Sequence, residues 1–236
     1  MITGASSDFG CGFIEKYHKN YDTVIAHYNT NKDKLEKLGE RCEGKLIPMQ
    51  ADLEDSNSVR RMMQEISERD IMPQYLVHLA SKKLVYRRFK QSDIKEYEKE
   101  MKCSLFSFLE IMKQSLPYMT EKSYGKIVVM LSSCLKGTPP KFMSSYVILK
   151  YALLGTVMSL AEEYADKGIC INAVSPDMTD TAFISDIPGM IVDLNREKSV
   201  MKRNLSVSET IPTIEYLLSN ASDKITAQNI FITGVR

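Results

Sequence analysis

A chain of 236 residues with 44% apolar side chains can bury one substantial core, and residues 1–236 read as a single domain. Its 31 basic and 30 acidic residues nearly cancel, so no global field draws it to nucleic acid or to an anionic membrane surface. The five cysteines, Cys11, Cys42, Cys103, Cys134 and Cys170, follow no Cys-x-x-Cys spacing; they read as free thiols of a reducing cytoplasm, with neither a disulfide framework nor a metal site.

Strand and helix patterns alternate along the whole chain, which predicts an α/β fold with a doubly wound parallel sheet. The predicted strands are Met1-Ile2, Thr23 to Tyr28, Lys45 to Gln50, Tyr75 to Leu79, Lys126 to Leu131, Cys170 to Val174 and Asn229 to Thr233. Pro48 removes a ladder donor from the third, which suits an edge strand. Helical patterns run from Phe9 to Tyr17, with Asp8 as the expected cap, and from Ser58 to Glu68, with Asp52 or Asp55 in that role. Another runs from Gln91 to Leu116, where Tyr97, Met101, Leu105, Phe108 and Met112 recur at helical spacing and Pro117 marks the end. His78 at a strand end reads as a hydrogen-bonded core residue. Lys82, Lys83, Arg87, Arg88 and Lys90 form a basic cluster just beyond it, either a solvated face or a receiver for an anionic substrate tail. The apolar residues around Tyr151 to Ala161 are interrupted by Gly155, Thr156 and Ser159, short of a membrane span. From Met178 to Ile191, Phe183, Ile184, Ile187, Met190 and Ile191 surround Pro188-Gly189, the pattern of a mobile apolar lid.

The stretch from Lys126 to Lys150 carries the chemistry. Ile127-Val128-Val129-Met130-Leu131 is a short β-branched run suited to burial on both faces. Ser132-Ser133 ends it, a loop with Gly137, Pro139 and Pro140 follows, and a helix begins near Ser144. Tyr146 and Lys150 lie one turn apart on that helix, and Ser133 stands thirteen residues before Tyr146, at the carboxyl end of a strand, where open parallel sheets place their sites. Tyr-x-x-x-Lys occurs four times here, also as Tyr28/Lys32, Tyr86/Lys90 and Tyr118/Lys122. Only the Tyr146 pair has a strand and a serine before it and another strand, Cys170-Ile171-Asn172-Ala173-Val174, after it.

In these residues the chain resembles the short-chain dehydrogenase/reductase family, whose signature is Tyr-x-x-x-Lys with an upstream serine. The resemblance implies a Rossmann-type sheet of about seven strands with helices on both faces. It makes Tyr146 the general acid/base, Lys150 the ammonium that lowers the phenol's pKa and holds the nicotinamide ribose, and Ser133 the hydrogen-bond donor to the substrate oxygen. The family's fourth catalytic group, an asparagine, falls at Ser104. Thr3-Gly4-Ala5-Ser6-Ser7-Asp8-Phe9-Gly10 is similar to the family's dinucleotide turn, in which a helix N-terminus faces a pyrophosphate. Gly4, Ser6, Asp8, Phe9 and Gly10 are thus expected at the cofactor, with Asp8 where the family has glycine, either as the helix cap or as a carboxylate that weakens the cofactor site. At the end of the second strand, Tyr28-Asn29 carries no acid to hold an adenosine ribose, and Lys32 suits a 2′-phosphate, so NADP(H) is expected over NAD(H). Asp52-Leu53 is expected at the adenine. His78-Leu79-Ala80-Ser81 keeps only Ala80 of the family's Asn-Asn-Ala-Gly. Asn172-Ala173-Val174-Ser175-Pro176-Asp177 resembles Asn-Ala-Val-x-Pro-Gly, and it places Pro176 with Thr179 or Thr181 at the nicotinamide. The family's central first strand has only Met1 and Ile2 here, which reads as a natural start lying upstream.

Two readings follow. The first is an NAD(P)(H)-dependent oxidoreductase that interconverts a carbonyl and a secondary alcohol, 3-oxoacyl reductase-like or acting on another small ketone. It is expected as a homodimer or homotetramer that pairs the helices over Gln91 to Leu116 and Ser144 to Tyr164. The second is a non-catalytic member of the same fold, supported by the departures at Asp8, His78-Leu79, Ser104 and Asp177. The intact Ser133, Tyr146 and Lys150 favour the first.

Overall fold

The alternating pattern produces one seven-stranded sheet in the computed structural model, which describes residues 1–234. The strands are β1 (Ile2–Thr3), β2 (Val24–Tyr28), β3 (Leu46–Gln50), β4 (Tyr75–His78), β5 (Gly125–Met130), β6 (Ile169–Pro176) and β7 (Asn229–Ile232). Their order is β3-β2-β1-β4-β5-β6-β7, all parallel. This is the doubly wound arrangement that the alternation and the resemblance imply. Pro48 lies in β3, at the edge. The central β1 has two residues, with Ile2 opposite Ala26 on one side and Val77 on the other.

The helices are α1 (Asp8–Tyr17), α2 (Lys32–Gly39), α3 (Ser56–Glu68), α4 (Ile94–Glu100), α5 (Ser107–Glu121), α6 (Ser144–Tyr164), α7 (Gly189–Lys198) and α8 (Val207–Leu218). β5 shows why both sheet faces must be covered. Ile127, Val129 and Leu131 point into a core built with Val59, Phe108 and Leu149 of α3, α5 and α6. Val128 and Met130 point into another, built with Phe13, Leu35 and Ile214 of α1, α2 and α8.

Three helix expectations change. The segment predicted as one helix from Gln91 to Leu116 is two, with a π turn over Met101–Phe106 between α4 and α5. Pro117 does not end α5, which runs on to Glu121; it lies on the exposed face, where water can reach the carbonyl left unbonded one turn earlier. Asp8 is not the cap of α1. Ser7 is, in extended conformation, and its hydroxyl accepts from Gly10 N at 3.2 Å. α3 is capped by Asp55, while Asp52 closes a local turn onto Glu54 N. Among the described residues α6 alone has the length and composition of a membrane span, but Leu149, Leu153, Val157 and Ala161 are buried in the core.

Candidate active site

The carboxyl ends of the strands open into a cavity of about 970 Å³. Tyr146 and Lys150 lie in its wall because α6 packs its Leu149-Leu153-Val157 face on the sheet over β6, which turns the neighbouring stripe toward the strand ends. The Lys150 ammonium donates to Met130 O at 2.7 Å and lies 5.4 Å from the centre of the Tyr146 ring. Burial lowers its pKa to about 8. Burial also pushes the Tyr146 phenol well above its ordinary value, partly offset by hydrogen bonding with the Ser132 hydroxyl. The expected lowering of Tyr146 by Lys150 is therefore not found: desolvation dominates, and the ammonium is turned to a carbonyl.

Ser133 faces the same cavity, but its hydroxyl donates to Asp177 Oδ1 at 3.0 Å. Ser132, which the motif passed over, accepts from Cys134 N at 3.2 Å and lines the cavity too. Ser104 lies in the π turn, buried and off the cavity. Its carbonyl accepts from His78 Nε2 at 2.8 Å, while His78 Nδ1 accepts from the Thr3 hydroxyl at 2.8 Å. His78 thus ties β1 and β4 to the π turn, the hydrogen-bonded core role expected of it.

At the other end of the cleft, the Gly4 turn and the capped N-terminus of α1 face the cavity through Ser6, Ser7, Asp8 and Phe9. Gly4 has a φ of +66°, and a Cβ there would meet the Ala80 backbone at 3.1 Å. Gly10 does not line the cavity; a Cβ on it would lie 2.4 Å from Ala5 O, so it serves close packing. His27, also missed, holds this turn: Gly4 N donates to its Nδ1 at 3.0 Å, and its Nε2 donates to Ala51 O at 3.1 Å. Asp8 Oδ2 accepts from Ala182 N at 2.7 Å, across the cleft, and Oδ1 lies 3.8 Å from Lys34 Nζ.

Asn29, Asp52, Leu53, Ala80, Pro176, Thr179 and Thr181 all line the cavity. Tyr28 and Lys32 do not. Tyr28 packs toward the α1/α8 core, and Lys32 points outward to Glu36 at 2.9 Å. Lys34, two residues on and so on another face of α2, lines the cavity with Asn31.

The basic cluster is largely paired: Lys82 with Glu54, Lys83 with Asp186, and Arg87 with Glu96, while Arg88 lies over the Phe142 ring. The segment expected as a lid packs Met178, Phe183, Ile184, Ile187 and Ile191 against Leu84, Met143 and Tyr146, with Phe183 centred 5.8 Å from the Tyr146 ring.

The comparisons agree with this geometry. A family model described as enoyl-(acyl carrier protein) reductase matches residues 4–234. The 3-oxoacyl-[acyl-carrier-protein] reductase FabG of Rickettsia typhi is 26% identical over 239 residues, covering 99% of this chain and 94% of its own. Its counterpart in Buchnera aphidicola subsp. Schizaphis graminum is 27% identical over 238 residues, covering 99% and 95%. Among solved structures, a gluconate 5-dehydrogenase from Burkholderia cenocepacia in complex with NADP and tartrate matches with a TM-score of 0.89 at 18% identity, covering 99% of this chain and 92% of that one. A 3-oxoacyl-[acyl-carrier protein] reductase with bound NAD from Brucella melitensis gives 0.86 at 21%, covering 99% and 88%. With the family model matched over residues 4–234 and Tyr146 and Lys150 together in the cavity wall, the chain belongs to the short-chain dehydrogenase/reductase family. Within that family it is an NAD(P)(H)-dependent oxidoreductase interconverting a carbonyl and a secondary alcohol.

Proposed function

We propose that the protein reduces a small ketone, of the 3-oxoacyl thioester kind or similar, with NADPH as hydride donor. The observation that carries this is the joining, in one cavity, of the buried Tyr146 and Lys150 with the Gly4 turn and the N-terminus of α1. The fit to a dinucleotide rests on the absent Cβ at Gly4, the amides of the Ser7-capped helix end and the Asp52-Leu53 wall. When bound, the nicotinamide supplies the hydride that goes to the carbonyl carbon.

Burial keeps Tyr146 protonated, the form that can give its proton to the carbonyl oxygen and complete the alcohol. Lys150, charged below about pH 8, offsets the phenolate left behind and would hold the ribose hydroxyls. A serine hydroxyl at the end of β5 donates to the same oxygen as charge develops on it. Phe183, Ile184 and Ile187 exclude water from this end of the cleft.

NADPH is favoured over NADH because Asn29, Asn31 and Lys34 line the expected adenosine end with no carboxylate from β2. Lys141 and Lys198 line the cleft and suit an anionic substrate tail. The five cysteines are free thiols, in keeping with a cytoplasmic enzyme.

The experiment is a fluorescence titration with NADPH and NADH, followed by NADPH oxidation with a panel of ketones that includes 3-oxobutanoyl thioesters. We expect tighter NADPH than NADH binding, with the difference shrinking about tenfold in Lys34→Ala. Tyr146→Phe should lose at least about a hundredfold in kcat while its NADPH affinity stays within about twofold. A Tyr146→Phe protein as active as wild type would refute the mechanism.

A further inference from the structure

The segment that leaves β6 carries a carboxylate that the reduction itself has no need of. We propose that Asp177 is a specificity-determining residue, fitting the cleft to ketones that bear a hydroxyl on the carbon next to the carbonyl. The assignment rests on the oxidoreductase reading above and narrows its substrate.

The strand register brings this carboxylate to the reacting end of the cleft. β5 and β6 are paired through Met130 opposite Val174, so Ser133 and Asp177, each three residues further on, leave the sheet side by side. The Ser133 hydroxyl donates to Asp177 Oδ1 at 3.0 Å, and both residues line the cavity with Tyr146 and Lys150. Lys150 is tied to the same strand end through Met130 O at 2.7 Å. Further along the segment from β6, Phe183 lies against the Tyr146 ring, so the chain runs from the carboxylate to the phenol.

The carboxylate is also held in place. Asp177 N donates to Ile232 O at 2.8 Å, and Asp177 O accepts from the Thr179 hydroxyl at 2.9 Å, which fixes the backbone on both sides of its Cα. The residue is only 8% exposed. It stands where the sequence pattern Asn-Ala-Val-x-Pro-Gly has a glycine, which carries no acceptor side chain.

A buried carboxylate beside a carbonyl that takes up hydride is unfavourable unless the substrate brings it a proton. Carboxylate oxygens only accept, and their charge opposes the charge that builds on the carbonyl oxygen. Turning the Ser133 proton from Oδ1 to the substrate would leave a buried acceptor short of one donor, which is costly. A substrate hydroxyl can take that place. The two oxygens of an α-hydroxy ketone sit on neighbouring carbons, a separation of the same size as that between Ser133 Oγ and Asp177 Oδ1. With the substrate hydroxyl donating to Asp177, the Ser133 proton is released to the carbonyl oxygen. A plain ketone or a 3-oxoacyl thioester has no hydroxyl proton to offer there. The product is a vicinal diol: the carbonyl carbon gains the hydride that NADPH loses, and the oxygen gains the Tyr146 proton.

The test measures NADPH oxidation with hydroxyacetone, with 2-butanone, which has a methyl in place of the hydroxyl, and with methoxyacetone, which keeps the electron withdrawal but not the proton. We expect kcat/KM for hydroxyacetone to exceed the other two by at least about a hundredfold in the wild type, as for a site built around a substrate hydroxyl. Asp177→Gly, which removes the side chain, and Asp177→Leu, which fills its place and accepts nothing, should each cut that ratio at least tenfold. A merely structural Asp177 would lower all three substrates alike and keep the ratio. NADPH quenching and a melting curve confirm folding, and Asp177→Gly alone carries the test if Asp177→Leu fails to fold. A smaller ratio in the wild type, or one cut less than tenfold in either folded variant, overturns the assignment alone. So does a wild type that consumes 3-oxobutanoyl thioester and leaves hydroxyacetone untouched. If the wild type consumes no ketone, or Tyr146→Phe is as active as wild type, the oxidoreductase reading falls and this assignment with it.

Discussion

His27 and His78 show how single residues hold the Gly4 end of the cleft. Each sits at the carboxyl end of a central strand with both ring nitrogens occupied, one accepting and one donating. A carbonyl can only accept, so Nε2 carries the proton in both rings and Nδ1 must stay bare to receive Gly4 N or the Thr3 hydroxyl. Burial lowers His27 to about 4 and His78 to about 3. The unfolded chain therefore binds more protons than the folded one between roughly pH 6.5 and 4, and stability falls as pH drops through that window. At one pKa unit per 1.36 kcal/mol, the pair should cost on the order of 5 kcal/mol by pH 4.5. Urea unfolding at pH 7.5 and 4.5 measures this, and His27→Gln should remove about half of the acid sensitivity. An identical pH response in wild type and variant would show that His27 is protonated in the fold.

At the scale of elements, α1 and the segment after β6 meet across the cleft through one bond, from Ala182 N to Asp8 Oδ2. Asp8 is the first residue of α1, in the electropositive field of the helix end, where a cofactor phosphate has the same claim on position. Its side chain is about a third exposed, so water screens much of the repulsion that two anions would feel. We expect Asp8→Gly to tighten NADPH binding about tenfold, equivalent to 1.4 kcal/mol. It should cost little stability because Ser7, not Asp8, caps the helix. Weaker binding in Asp8→Gly would mean that closing the cleft through Ala182 helps the cofactor more than the carboxylate hinders it. The π turn before α5 is a second element-scale device: it lets the carbonyl of Ser104 meet His78.

For the whole molecule, assembly turns on the outer face of α6 and of the π turn that leads into α5. Leu105 and Phe108 are buried, but Phe106, Ile148, Tyr151 and Met158 are 50, 49, 44 and 45% exposed. That apolar surface on two neighbouring helices is what a twofold pairing of identical chains would bury. We expect light scattering at micromolar concentration to give two or four times the 26.8 kDa monomer mass. The double substitution Phe106→Asp with Tyr151→Asp should return it to one. A monomeric wild type would refute the pairing.

The sequence by itself determined the strand set, the parallel sheet, the edge position of β3 and the Tyr146–Lys150 pair. All of these are periodic or short-range, set by side-chain alternation along a strand and by one turn of helix. It also placed Gly4, Asn29, Asp52 and Ala80 at the cavity, because each lies within two residues of a strand's carboxyl end. Contacts between parts distant in the chain were decided only by tertiary structure. Lys34 replaced Lys32 at the cleft because the phase of α2 is set by Leu35 packing on the sheet. Ser7 took the cap from Asp8 because the Ala182 amide, 174 residues away, drew that carboxylate across the cleft. Ser133 is drawn to Asp177, which β6 brings up to accept its hydroxyl proton at 3.0 Å, a contact no local pattern could show.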